Sequence, residues 1–255
     1  MTGESSARDE VERQRTFYRS GEHDHLQVRD DDLYARKLAS ELARRAGIDR
    51  RHRVLEIGAG FGRFTFPLLE HCGSVVAFDL SDRTLADLAA ARDGRGIAAE
   101  RCQTLCGDVE KLDPAATGPF DFVVGFFILH HLPDVPAAIR ALAPALAPGG
   151  GMAFVEPNRR NPLFLAQVLC CPDMPWREER GMFRLSARKV EAAFGGASLA
   201  PRPTERFGFF PPQIYNRLAP ARALESGVER IRVFDPVLPF LFLSARNEGP
   251  GKGAR

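Results

Sequence analysis

The stretch Val54-Leu55-Glu56-Ile57-Gly58-Ala59-Gly60-Phe61-Gly62-Arg63-Phe64-Thr65 constrains this chain more than any other. A short apolar run with strand character enters three glycines at alternate positions, and a helix-like pattern follows. Glycine is needed where the backbone takes a positive φ, or where a ligand comes within contact distance of the main chain. The spacing is G-x-G-x-G. A dinucleotide fingerprint, G-x-G-x-x-G, wants its third glycine where Arg63 stands. A phosphate-cradling loop needs a Gly-Lys-Ser/Thr sequence, which is absent here.

The rest of the chain repeats this rhythm. Apolar runs at Val54–Ile57, Val75–Phe78, Cys102–Cys106, Phe120–Phe127 and Met152–Val155 predict strands. Between them lie helical patterns at Phe64–Cys72, Ser81–Arg92 (Ser81 as N-cap) and Asp134–Ala147, the last with Pro136 in its first turn and Pro148-Gly149-Gly150 as its stop. An earlier helix, with Leu33, Leu38, Leu42 and Ala46 on one face, stops at Gly47. Short strands alternating with helices imply right-handed crossovers and a mainly parallel α/β sheet covered on both faces. After Glu156 the rhythm breaks, with a short apolar helix candidate at Leu163–Leu169. It resumes with a helix at Ser186–Phe194, a strand near Glu205–Phe210, a helical patch at Tyr215–Arg230 and a last apolar run, Pro239–Ser244. The domain reading is a polar tail or lid over 1–30, one α/β domain over 31–246 with insertions at 157–183 and 207–230, and a disordered Gly-rich tail over 247–255.

Composition narrows the partners. Among 255 residues, 35 Lys and Arg meet 33 Asp and Glu, leaving a formal charge of +2. A nucleic-acid binder driven by phosphate contacts shows a basic excess or stripe, and the Arg50-Arg51-His52-Arg53 cluster reads as a solvated loop before a strand. No apolar run reaches the length that spans a bilayer, and the polar start of the chain has no secretory signature. Cys72, Cys102, Cys106, Cys170 and Cys171 form neither a disulfide framework nor a ligand set at metal spacing. Reduced, mostly buried thiols in a cytoplasmic protein are expected. His23-Asp24-His25 has no further ligand beside it, so no metal is expected.

Acidic residues follow the strands. Asp79 follows the second apolar run, Asp108 comes after the third in Gly107-Asp108-Val109, and Glu56 is the last residue but one of the first. All three fall on the C-terminal rim of the sheet, where open α/β sheets bind ligands. A carboxylate at the tip of the second strand can accept hydrogen bonds from both hydroxyls of a ribose. Other roles are open: Glu56 could pair with Arg63, and Asp79 could cap the following helix in competition with Ser81.

Together, E-I-G-A-G-F-G, F-D-L-S, G-D-V and F-D-F-V-V-G-F-F-I-L-H-H-L-P-D resemble the successive motifs of the class I S-adenosylmethionine-dependent methyltransferases, and L-A-P-G-G-G-M-A-F-V-E is similar to that family's turn and fifth strand. The likeness covers roughly 31–156. It implies a Rossmann-like, doubly wound sheet of seven strands with the last antiparallel, and S-adenosyl-L-methionine as cofactor. It also implies that Gly58, Gly60 and Gly62 pack on the methionine part, and that Glu56 orients the loop or meets the amino group. Asp79 would hold the ribose, Leu80 and Val109 would pack on the adenine, and Asp108 would accept from the adenine amine. The cofactor has no pyrophosphate, which agrees with the missing phosphate cradle, and its donors suit acidic acceptors.

Methyl transfer from a sulfonium needs alignment more than acid–base help, and a base only where the acceptor must lose a proton. The candidates are His131, then His130, either of which could instead only hold the turn after the fourth strand, and Glu156 at the end of the fifth strand, which could meet the acceptor or make a structural hydrogen bond. Asn158 and Arg159 could meet a polar acceptor or form a surface loop. Phe17-Tyr18 could fold over the cofactor. Trp176 and Phe207-Gly208-Phe209-Phe210-Pro211-Pro212 either wall an acceptor pocket or belong to the core. The expected function is methylation of a small-molecule acceptor at oxygen, nitrogen or carbon. A nucleic-acid methyltransferase is disfavoured by the near-neutral charge and by Gly125-Phe126-Phe127-Ile128, where Asn/Asp-Pro-Pro-Tyr or Pro-Cys would stand. A non-catalytic scaffold is disfavoured by the intact glycines and acids.

Overall fold

The computed structural model describes residues 28–163 and 181–249. Its sheet contains β1 (Arg53–Ile57), β2 (Ser74–Asp79), β3 (Cys102–Cys106), β4 (Phe120–Phe126), β5 (Leu146–Pro157), β6 (Ala200–Pro201), β7 (Glu205–Phe207) and β8 (Phe240–Arg246). The order is β3-β2-β1-β4-β5-β8-β6, with β7 also on β8. The first five strands pair in parallel, and β8 runs antiparallel to β5. The order reverses between β1 and β4, where a binding crevice opens in a doubly wound sheet.

The helices are α1 (Leu33–Ala46), α2 (Thr65–Leu69), α3 (Asp82–Gly94), α4 (Pro114–Thr117), α5 (Val135–Leu142), α6 (Gly181–Arg184), α7 (Ala187–Gly196), α8 (Pro212–Arg217) and α9 (Ala219–Glu229). They cover both faces. Leu38, Leu42, Phe66, Leu68, Leu85 and Leu88 of α1, α2 and α3 pack with Val54, Val75 and Ala77. Ile139, Leu142, Val190 and Phe194 of α5 and α7 pack with Leu55, Val123 and Phe154 on the opposite face. Each fully buried Leu or Phe contributes about 1.5–3 kcal/mol by leaving water, and alternate residues of one strand serve opposite layers.

The expected caps are present. Ser81 Oγ accepts the Thr84 N–H and Asp134 Oδ1 the Ala137 N–H. Gly47 takes φ +75° at the end of α1. The inward stripe of α1 runs through Tyr34, Leu38, Leu42 and Ala46, whereas Leu33 is exposed.

Three expectations are corrected. The helix over 134–147 ends at Leu142, and Pro148-Gly149-Gly150 lies inside β5. A register shift between Phe120 and Phe122 accommodates that turn-prone sequence within the β4–β5 pairing. The sixth strand position is divided: β6 and β7 both pair with β8, and Arg202-Pro203-Thr204 separates them. Proline lacks the N–H that a continuous ladder requires, so eight segments fill seven places. Finally, the C-terminal tail is anchored at its start, because Asn247 exchanges backbone hydrogen bonds with Gly149 and Gly150.

Among the described residues no helix is long and apolar enough to cross a membrane. Cys72 and Cys102 are buried free thiols, and Cys106 is exposed rather than buried. Phe17-Tyr18, His23-Asp24-His25, Cys170-Cys171, Trp176 and most of the helix candidate Leu163–Leu169 lie outside the described residues.

Candidate functional site

β1, β2 and β3 end side by side: Ile57 pairs with Phe78, and Asp79 with Cys106. The loop after β1 is stitched across to β2, because Gly58 and Ala59 both donate to Phe78 O, at 2.8 and 3.2 Å. Gly58, Gly60 and Gly62 have φ values of +71°, +52° and +91°, a region that costs other L-residues about 1–2 kcal/mol. A Cβ on Gly58 would lie 2.6 Å from Ile128, and one on Gly62 would lie 2.9 Å from Leu88 and Phe66. A Cβ on Gly60 would meet nothing within 4 Å. Two glycines are therefore demanded by the protein's own packing, whereas the middle one borders open space.

Asp79 Oδ2 accepts the Gly60 N–H at 2.8 Å, and its Oδ1 accepts the Ser81 N–H at 2.9 Å. Ser81 caps α3, which decides the capping question against Asp79. Burial pushes the Asp79 carboxyl up, opposed by the N–H donors of Ser81 and Gly60. Each of its oxygens retains acceptor capacity. Asp108 accepts the Glu110 N–H at 3.1 Å, and its Oδ2 lies 3.0 Å from Lys111 Nζ. Val109 is buried and Leu80 half-buried.

Glu56 does not pair with Arg63. Its carboxyl is buried and shifted to about 8, chiefly by desolvation, against an opposing influence of the neighbouring Thr65 hydroxyl. Neither Glu56 Oε2 nor Thr65 Oγ1 has a hydrogen-bond partner of normal geometry. A buried carboxyl with one oxygen unpartnered beside the glycine loop signals a group reserved for something else. Arg63 instead meets Asp32, Nε to Oδ2 at 2.8 Å. Asp32 Oδ1 takes the Ala35 N–H and the Asn216 amide, each at 3.1 Å, so the N-cap of α1 ties the glycine loop to α8. Arg63 keeps the Asp32 carboxyl below its usual range despite burial.

The fourth-strand candidates separate in role. Glu156 is fully buried; its Oε1 accepts from Ile128 N at 2.9 Å and Leu129 N at 2.7 Å, and its Oε2 lies 2.6 Å from His130 Nδ1. Of the two readings of Glu156, acceptor contact and a structural hydrogen bond, the observed contacts are of the second kind: its carboxyl oxygens hold the turn after β4, and His130 is bound to one of them. His131 is half-buried, its ring centroid 4.0 Å from that of His130. Burial first, then His130, pushes its pKa well below the ordinary 6.5, so its imidazole is neutral at physiological pH.

That turn also contains a residue the sequence did not single out. Phe127 has φ +55°, rare for a bulky side chain and typical of ligand clamps. Its ring lies 5.7 Å from Phe64, at the end of the glycine loop, and 5.6 Å from Phe240. Tyr34 continues the ring chain to Tyr215 at 5.5 Å. Phe207 is buried against Phe240, whereas Phe209 and Phe210 are half-buried. Asn158 is not in a surface loop: its amide donates to Pro236 O and Leu238 O from a buried position. Arg159 is exposed and donates to Phe183 O. A separate cleft of about 430 Å³ opens along the outer side of α2, where arginines 36, 50, 63, 95 and 101 face Asp32 and Glu70; Glu56, Asp79 and Asp108 do not line it.

The rim fits S-adenosylmethionine on these observations. The unpartnered Oε2 of the buried Glu56 suits an ammonium, a doubly braced carboxylate with spare lone pairs suits a ribose diol, and the unfilled space at Gly60 suits close approach of a ligand to the backbone. Comparison with known proteins agrees. A family model described as a methyltransferase domain matches residues 55–152. The ubiquinone biosynthesis O-methyltransferase of Idiomarina loihiensis is 34% identical over 119 residues, 46% of this chain and 47% of that protein. The chain thus spans about half the length of the curated relatives it matches. Two solved structures share the fold. The [4+2]-cyclase SpnF has a TM-score of 0.58 at 20% identity, covering 83% of this chain and 80% of its own. The N-methyltransferase NodS of Bradyrhizobium japonicum, in complex with S-adenosyl-L-homocysteine, has a TM-score of 0.57 at 16% identity, covering 98% and 100%. With its motifs in order on a sheet of this topology, the chain carries a match to a methyltransferase domain over residues 55–152 and shares the fold of S-adenosylmethionine-dependent methyltransferases.

Proposed function

We propose that this protein transfers a methyl group from S-adenosylmethionine to an oxygen, nitrogen or carbon atom of a small-molecule acceptor, in the cytoplasm. The observation that carries the reading is the placement of Glu56, Asp79 and Asp108 at three adjacent strand ends around a positive-φ glycine loop. In this reading Glu56 meets the cofactor's ammonium, and Gly58, Gly60 and Gly62 pack on its methionine part. Asp79 takes the ribose hydroxyls, Asp108 the adenine amine, and Leu80 and Val109 the adenine faces. When bound, the cofactor supplies an electrophilic methyl group whose leaving group is a neutral thioether.

The chain's own contribution is then positional. Glu156 fixes the turn from Ile128 to His130, and the same turn carries His131 and, 5.7 Å from Phe64 at the end of the loop, Phe127. Holding acceptor and donor in line can supply several kcal/mol of the barrier reduction. His131 remains the candidate base for an acceptor that must lose a proton; its neutral form can accept one, and its depressed pKa makes it a weak base. His130 and Glu156 are positioning residues in this account. An oxygen acceptor is favoured by the O-methyltransferase relatives.

The test is incubation of the protein with isotopically methyl-labelled cofactor and a metabolite extract, read by mass spectrometry. Appearance of labelled methyl on one small compound supports the proposal. Label on added RNA alone, or on nothing while the cofactor's product still binds, contradicts it. Because a cyclase shares the fold, the readout is the methyl group itself.

A further inference from the structure

Exposed aliphatic side chains concentrate in one short stretch. Of seven large apolar side chains standing out into solvent among the described residues, five fall between positions 214 and 233: Ile214, Leu218, Leu224, Ile231 and Val233. Val233 is 75% exposed and Leu224 is 59% exposed. They belong to α8, the Leu218 cap, α9 and the segment leading into the 3₁₀ turn Arg232–Val237, consecutive elements in mutual contact.

The charges of this stretch are sorted. Glu225 is buried and receives Lys37 together with the N–H groups of Phe209 and Phe210. Glu229 likewise turns inward, taking Lys37 Nζ at 3.3 Å and the Gly208 N–H at 2.8 Å. Arg217, Arg230 and Arg232 remain exposed. The one exposed carboxylate between 212 and 236 is Asp235, 3.5 Å from Arg206. The exposed side chains of this stretch are therefore chiefly aliphatic and cationic, with Gln213, Ser226 and Asp235 among them. Interface cores between proteins favour Tyr, Trp, Phe, Met and Arg, so the arginines suit either kind of partner, but protein hot spots are poor in the Leu and Val that stand out here. Aliphatic side chains among arginines are the composition of segments that lie in a lipid interface.

We propose that the 212–236 face docks this protein peripherally on an anionic bilayer. Ile214, Leu218, Leu224, Ile231 and Val233 enter the headgroup boundary while Arg217, Arg230 and Arg232 meet lipid phosphates. Neither the attraction nor the apolar burial depends on the chemistry at the glycine loop, so docking and methyl transfer stand or fall separately.

Sedimentation of the full chain with phosphatidylcholine vesicles, with and without about 30% phosphatidylglycerol, tests the proposal. Binding is expected to the anionic vesicles, to weaken with salt, and to fall by at least about tenfold in Leu224→Glu and Val233→Glu. Arg230→Glu/Arg232→Glu should lose the preference for anionic lipid. These side chains are exposed, so thermal unfolding should stay unchanged in all three variants. No sedimentation with either vesicle overturns the proposal, as does binding indifferent to the substitutions. A dimer in sedimentation velocity that Val233→Glu dissociates would also overturn it, assigning the face to a second copy of the chain.

Discussion

The Gly60 N–H donates to Asp79 Oδ2 at 2.8 Å, so the middle glycine of the first loop and the acid at the tip of the second strand are fixed to each other. One carboxylate thereby shapes the loop and presents its remaining acceptor capacity on the same rim. The three glycines of that loop also differ in what they answer to.

Gly60→Ala and Gly58→Ala should separate binding from folding. At Gly60 the cost is backbone strain alone, about 1–2 kcal/mol, because a Cβ there has no protein neighbour. At Gly58 the same strain adds to a contact with Ile128 at 2.6 Å. Urea titration should show the larger loss for Gly58→Ala. Calorimetry with S-adenosylhomocysteine should show weakened binding for Gly60→Ala while the protein stays folded. Undiminished affinity in that variant would remove the ligand from the space beside Gly60.

Glu56 makes stability depend on pH. Its carboxyl titrates near 8 in the folded protein, against an ordinary value of 4.5 for the unfolded chain. The folded state therefore holds the proton more tightly. The resulting stability is complete below about pH 4.5 and is lost as pH rises through about 8. Thermal unfolding from pH 5 to 9 should show wild type falling relative to Glu56→Gln, which cannot ionise. Parallel curves would contradict the buried, protonated assignment.

Glu156→Ala removes three hydrogen bonds from a fully buried carboxylate and strands the Ile128 and Leu129 N–H groups. A loss of about 2–4 kcal/mol is expected in chemical denaturation. A loss below about 1 kcal/mol would mean that the turn after β4 is held by other contacts.

His131 should not impose an inflection near pH 6.5 on methyl transfer, because burial and His130 hold it neutral well below that point. A rate profile flat from pH 6.5 to 8 is predicted once an acceptor is known. An inflection near 6.5 that vanishes in His131→Ala would place a solvated, titrating imidazole there.

The central sheet and its acidic rim were legible because they rest on local signals: strand periodicity, the G-x-G-x-G spacing, and acids directly after apolar runs. Ser81, Asp134 and Gly47 announced their helix ends for the same reason. What escaped depended on distant partners. Glu156 reads as a rim acid until its oxygens are seen bracing Ile128, Leu129 and His130 across two strands. Arg63 finds Asp32, thirty-one positions earlier, and Asp32 finds Asn216, one hundred and eighty-four positions later. Asp32 before an amphipathic helix was a readable cap signal; its second role was not. Phe127 carries no sequence mark of its positive φ, and its N–H bonds to Val155 O across on β5.

Titration calorimetry of the full chain with S-adenosylhomocysteine, wild type beside Asp79→Ala, bears most directly on the site. One binding site is predicted in the wild type, weakened by about 1–3 kcal/mol in the variant, the cost of an unmet charged hydrogen bond. Folded wild-type protein that takes up no ligand, or a variant that binds as tightly as wild type, would contradict the account.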